Sequence, residues 1–81
     1  MKVTMTEPFV KAFLKLPSNI QKTFGKQLAL LLSNLSHPSL NAKIFDSQKR
    51  LWQARVDRSY RFYFTLEDAM IILHGIGPHP K

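Results

Sequence analysis

The side chains with the greatest chemical reach in this sequence are arginines and histidines set among aromatic residues: Arg55, Arg61, Tyr63 and His74. Lys43, Lys49, Arg50, Arg58 and His79 form the rim of the same basic surface. Clustered arginines take phosphate through paired N–H donors. An aromatic ring among them can stack a base, as recognition of single-stranded RNA often requires. Cleavage of a phosphodiester by the RNA's own 2′-hydroxyl needs a group that takes a proton, a group that gives one, and cations around the crowded phosphate. A histidine near two arginines meets much of that need.

Other chemistries lack their residues. His37, His74 and His79 are scattered, with no cysteine and no HxxxH spacing, so neither a metal site nor a cofactor is expected. The glycines at 25, 75 and 77 form no phosphate loop. Glu7, Asp46, Asp57, Glu67 and Asp68 fall mostly at turns and caps, and no pair of them marks an acid–base site.

The stretch that must position the basic residues is Leu51 to Phe64, LWQARVDRSYRFYF. Trp52, Ala54 and Val56 alternate with Gln53, Arg55 and Asp57. Tyr60, Phe62, Phe64 and Leu66 then alternate with Arg61, Tyr63 and Thr65. Period two on both sides of a tight turn is the pattern of a half-buried antiparallel hairpin. The apolar sets must share one face. A three-residue loop of Asp57, Arg58 and Ser59 then pairs Val56 with Tyr60, Arg55 with Arg61, and Gln53 with Tyr63. Like charges directly opposite cost stability, so folding gives no reason for the arginine pair. An anion across that face does. Arg55 also has a structural reading, as a surface arginine paired with Asp57 or Glu67. Arg61 favours function, since it sits mid-strand among aromatic residues. The apolar flanks of His74 point to a structural role, and His37 is a solvated loop residue. Trp52, Tyr60, Phe62 and Phe64 belong to the core.

Upstream, Lys2 to Thr6 alternates as a short strand. Thr6 caps a helix with Glu7 and Pro8 in its first turn and Phe9, Phe13 and Leu16 on one face, ending at Leu16 before Pro17. Pro17 opens a second helix with the stripe Ile20, Phe24, Leu28, Leu31 and Leu35. Gly25 costs that helix about 1 kcal/mol relative to alanine, and is read as close approach of the two helices. Lys22 and Lys26 form a solvated outer face. Residues 33–42 are a loop, and Lys43 to Asp46 an extended piece leading to the hairpin.

Beyond the hairpin, a Glu67–Asp68 turn pairs Leu66 with Ala69, Phe62 with Leu73 and Arg61 with His74. Ala69, Ile71 and Leu73 then join the core. Met70, Ile72, His74 and Ile76 lie on the polar face, where the apolar ones need a cover. The expectation is one α+β domain over residues 1–81, in two layers: an N-terminal strand, a helical hairpin and a three-stranded antiparallel meander. Eighty-one residues give a modest core. A net charge of +7, from 12 basic and 5 acidic residues, favours a polyanionic partner. MKVTMTEPF lacks an apolar signal core and no run reaches membrane-spanning length, so a cytoplasmic protein is expected.

FVKAFLKLPSNIQKTFGKQL, HPSLNAK, LWQARVDRSYRFYF and IILHGIGPH, with the late GxH, resemble the RelE/ParE superfamily of toxins from type II toxin–antitoxin pairs, nearly end to end. The resemblance implies the same strand–helix–helix–three-strand order. It implies a cognate acidic antitoxin that covers the basic face. In the RelE-like branch it implies ribosome-dependent, metal-free cleavage of mRNA in the ribosomal A site. Arg61 would stabilise the scissile phosphate, Arg55 and Lys43 would hold RNA, and His79 would act as general acid or base. The expected catalytic set is therefore Arg61, His79 and Arg55. The expected RNA-binding set is Lys43, Lys49, Arg50, Arg58, Tyr63 and His74. Pro80 and Lys81 stand where many active members carry a terminal Tyr or Phe. The HPSL segment offers His37 and Ser39 where some carry a catalytic Glu. Two other readings stay open: the ParE-like branch, which poisons DNA gyrase, and a degenerate toxin that only binds its antitoxin as a corepressor.

Overall fold

A computed structural model describes residues 1–79. The chain runs β1 (Lys2–Met5), α1 (Glu7–Leu14), α2 (Ser18–Ser33), a single 3-10 turn (Pro38–Leu40), then β2 (Lys43–Asp46), β3 (Leu51–Arg55), β4 (Tyr60–Glu67) and β5 (Met70–Pro78). The expected α+β order is present, and the meander is part of a larger sheet. Its five strands lie in the order β1-β5-β4-β3-β2. The extended piece at 43–46 pairs antiparallel to β3, and β1 adds parallel to β5 at the other edge. None of the helices described is long and apolar enough to cross a membrane.

Local chemistry explains the ends of the helices. Thr6 accepts a hydrogen bond from the Phe9 amide at 3.3 Å, the N-cap expected before Glu7 and Pro8. The first helix stops at Leu14 rather than Leu16. The Lys15 amide closes it on the carbonyls of Ala12 and Phe13. Gln21 Nε2 then donates to the carbonyls of Phe13 (3.0 Å) and Leu16 (3.3 Å), satisfying the orphaned end of α1 from the first turns of α2.

The helices cover one sheet face through aromatic contacts. The Phe24 ring lies 5.5 Å from Phe9, 5.6 Å from Phe13 and 5.1 Å from Phe62, the last edge-on. Phe9, Leu40, Ala54, Phe62, Phe64 and Leu73 are fully buried. Gly25 corrects the sequence reading. It is exposed, and a Cβ there would meet nothing within 4 Å, so the helices meet through phenylalanine rings and not across a glycine.

The β3–β4 register is the one derived from alternation: Arg55 opposite Arg61, Gln53 opposite Tyr63. The Val56 amide donates to the Tyr60 carbonyl, closing the three-residue loop. Asp57 Oδ1 holds that loop by accepting from the amides of Ser59 (2.8 Å) and Tyr60 (2.9 Å).

The β4–β5 register differs from expectation. Glu67 pairs with Met70, so the turn residues are Asp68 and Ala69. Asp68 takes a left-handed conformation at φ 52, which Asp tolerates better than most residues. A bulge follows: Tyr63 faces Gly75, Phe64 faces Leu73, and His74 is the extra residue between them. An inserted residue reverses the alternation beyond it. Ile76 therefore turns inward opposite Phe62 and is buried at 7% exposure, so it needs no outside cover. Arg61 faces Gly77, not His74.

Candidate nucleic-acid interface

The sheet face away from the helices carries the basic residues, arranged in rows across the strands. Arg55, Arg61 and Gly77 form one row, on β3, β4 and β5. Lys43, Gln53, Tyr63 and Gly75 form the next, on β2 through β5. Paired residues point to the same side of a sheet, so Lys43, Arg55, Arg61 and Tyr63 share one surface.

The arginines are held differently. Arg61 Nη1 donates to the main-chain carbonyls of Asp57 (2.7 Å) and Tyr60 (3.0 Å), which fixes the guanidinium against the hairpin loop. A guanidinium has five N–H donors, so its Nη2 and Nε hydrogens are left for a ligand. Arg55 Nε is buried and has no hydrogen-bond partner. The Arg55 carbonyl accepts from Gln27 Nε2 at 2.9 Å, and the same amide also donates to Ser39 at 3.2 Å. Gln27, on α2, thus ties the arginine's main chain to the helical layer. Among the described residues the one ion pair is Glu7 with Lys11, 3.0 Å apart on the exposed side of α1. The reading of Arg55 as the partner of Asp57 or Glu67 therefore does not hold: neither lies within 4.0 Å of it. Among the described residues these two adjacent cations have no neutralising carboxylate, and one has a buried N–H unsatisfied, an arrangement whose chemistry suits an anion.

Tyr63 accepts from Gln53 Nε2 at 3.2 Å and meets the Phe45 ring edge-on at 5.1 Å. Phe45 was not singled out in the sequence. It follows Lys43 by two residues and so falls on the same face by alternation, next to a bulge between Ile44 and Asp46, and it is 56% exposed. The available signal was its spacing: position 45 lies on the same side of an extended strand as Lys43.

The remaining residues divide. Arg58 is exposed at the hairpin tip, beside the arginine row. His79 is exposed, and its amide donates to the Ser59 carbonyl at 2.6 Å, which brings it to the same end of the sheet. His74, displaced by the bulge, places Nε2 2.8 Å from Thr65 Oγ1. It lies three residues before Gly77 on β5, about 10 Å along the strand from the arginine row. Lys49 and Arg50 occupy the β2–β3 turn, at the opposite end of β3 from Arg55, about 15 Å away. His37 Nδ1 accepts from the Ser39 amide at 3.2 Å and lies 3.0 Å from its hydroxyl, capping the 3-10 turn. Pro80 and Lys81, which stand in place of a terminal aromatic residue, lie outside the described residues.

No family model matches this chain, and no curated protein matches it in sequence. Solved structures do match in shape. A YoeB/ParE toxin from Agrobacterium tumefaciens superposes with a TM-score of 0.82 at 9% identity, over 99% of this chain and 100% of that one. The RelE-RelB complex from Pyrococcus horikoshii OT3 gives a TM-score of 0.78 at 20% identity, over 95% and 92% of the two chains. The chain has the RelE/ParE toxin fold. YafQ from E. coli gives a TM-score of 0.77 at 19% identity, over 96% and 92%. In this version of the RelE/ParE fold the helices support the arginine row through one buried amide. Gln27→Leu would strand the carbonyls of Arg55 and Ser39, at a cost of about 1–3 kcal/mol. Urea titration checks this; an unchanged midpoint would mean the two carbonyls find other partners.

Proposed function

We propose that this chain is the toxin of a type II toxin–antitoxin pair and that it cleaves mRNA on the ribosome. The observation that carries the proposal is the Arg55–Arg61 row, paired with no carboxylate among the described residues and flanked by the Tyr63–Phe45 rings. In the proposed reaction the 2′-oxygen attacks the adjacent phosphorus while its proton passes to a base. The bond from phosphorus to the 5′-oxygen breaks, and that oxygen takes a proton from an acid. Arg61, through Nη2 and Nε, stabilises the charge gathering on the phosphate. Arg55 and Lys43 hold the strand, and Tyr63 with Phe45 stacks a base. His79, set beside the hairpin loop, is the proposed proton donor or acceptor. The antitoxin would be acidic and would cover the arginine row. That partner is supported by the P. horikoshii neighbour being a RelE-RelB complex.

His79→Ala is expected to slow cleavage of ribosome-bound mRNA by about 10²-fold or more, with little change in ribosome binding. Single-turnover cleavage and co-sedimentation separate the two. A wild-type cleavage rate would move the proton transfer to another group.

One observation favours a second reading. His37 and Ser39 are engaged with each other, and their loop supplies no carboxylate. A chain without a full acid–base set would fit a ParE-like poison of DNA gyrase. Supercoiling by purified gyrase in the presence of this protein decides between them, since the proposed RNase leaves supercoiling untouched.

A further inference from the structure

Two glycines lie within β5, Gly75 and Gly77. Glycine inside a strand forfeits packing and entropy, and it often marks a bulge, a bend, or close approach by a ligand or another backbone. Neither residue has a positive φ, so backbone geometry does not call for glycine at either. Gly75 sits beside the bulge and opposite Tyr63, and a Cβ there would lie 3.8 Å from the Tyr63 ring, an ordinary contact. Gly77 is two residues past the bulge. It pairs with Arg61, and a Cβ built on it meets nothing within 4 Å. Nothing among the described residues fills the space that its missing side chain leaves, and that space is in the arginine row.

We propose that Gly77 is the floor on which the RNA strand lies. The ribose next to the phosphate held by Arg61 rests against the bare main chain of β5, and any side chain at 77 lifts the strand away from the guanidinium. The proposal rests on the RNA-cleaving reading and extends it to a residue with no functional group. It follows from geometry: Arg61 is fixed to the loop carbonyls, so it cannot follow a displaced phosphate without breaking those bonds.

The test compares Gly77→Ala and Gly77→Val with wild type on ribosomes programmed with a defined mRNA, with thermal melts in parallel. Valine favours strands, and the space above Gly77 is open, so the melting temperature should hold or rise. Cleavage by Gly77→Val should fall on the order of 10²-fold, the effect of misplacing a reacting group by about 1 Å, with Gly77→Ala between it and wild type. Gly25→Ala, on the exposed face of α2, should cut at the wild-type rate. A folded Gly77→Val that also cuts at that rate would overturn the proposal and leave the endonuclease reading standing. If Gly77→Val melts early, the alanine variant decides by the same comparison. If wild type cuts nothing, the reading and the floor fall together.

Discussion

Arg61→Ala is expected to remove mRNA cleavage almost completely while leaving the protein folded. Loss of one preorganised donor to a developing anion costs roughly 10²–10³-fold in rate. Arg61 would contribute more than one, from Nη2 and Nε, so the loss should sit at or beyond the upper end of that range. The structural cost is smaller. The side chain's two hydrogen bonds to the Asp57 and Tyr60 carbonyls contribute about 1 kcal/mol each, against a typical total of about 5–15 kcal/mol. The loop keeps its other ties, because Asp57 holds the amides of Ser59 and Tyr60 through its own carboxylate. Single-turnover cleavage with a circular-dichroism melt checks both halves. Arg61→Lys should recover only part of the rate, since an ammonium replaces a planar fork with a point charge. A folded, fully active alanine variant would contradict the role given to Arg61.

Phe62→Ala should also abolish activity, for the opposite reason. Phe62 is fully buried, meets Phe24 edge-on at 5.1 Å and lies 5.7 Å from Phe64. It is the ring through which the sheet grips the helices. Truncating a buried phenylalanine costs about 3–5 kcal/mol, and a domain this small has little in reserve. The melting temperature should drop by roughly 12–40 °C, and the protein should be partly unfolded at 37 °C. The two variants then give the same loss of growth arrest with opposite melts. If Phe62→Ala melted within a few degrees of wild type, the aromatic cluster would not be the centre of stability described here.

Much of the site was legible because strand alternation fixes faces. With a three-residue loop at Asp57–Ser59, Arg55 had to oppose Arg61 and Gln53 had to oppose Tyr63, and both pairs stand. What alternation cannot show is a residue that breaks it. The displaced turn slid the partner of Arg61 from His74 by two residues, and the bulge at His74 slid it by one more to Gly77 and moved Ile76 from the open face into the core. Phe45 was missed although alternation from Lys43 puts its ring on the face beside Tyr63, because residues 43–46 were read only as an extended piece. The Glu67–Asp68 turn was misplaced by one residue, since either pair of turn residues satisfies the local pattern and only Asp68 takes the left-handed conformation. Gln27 escaped notice for a different reason. A lone glutamine on a helix reads as surface, and its buried role depends on two carbonyls from distant segments. The clustering of Lys49 and Arg50 with the arginine pair was a matter of composition. Chain geometry puts them at the other end of β3.

The central claim is that the arginine row acts on mRNA within the ribosome. Its most direct test is to induce the chain alone in bacteria and map mRNA 5′ ends on translating ribosomes. The account predicts new ends at A-site codons that disappear with Arg61→Ala. Growth arrest with no new 5′ ends would contradict it and would direct the search to gyrase.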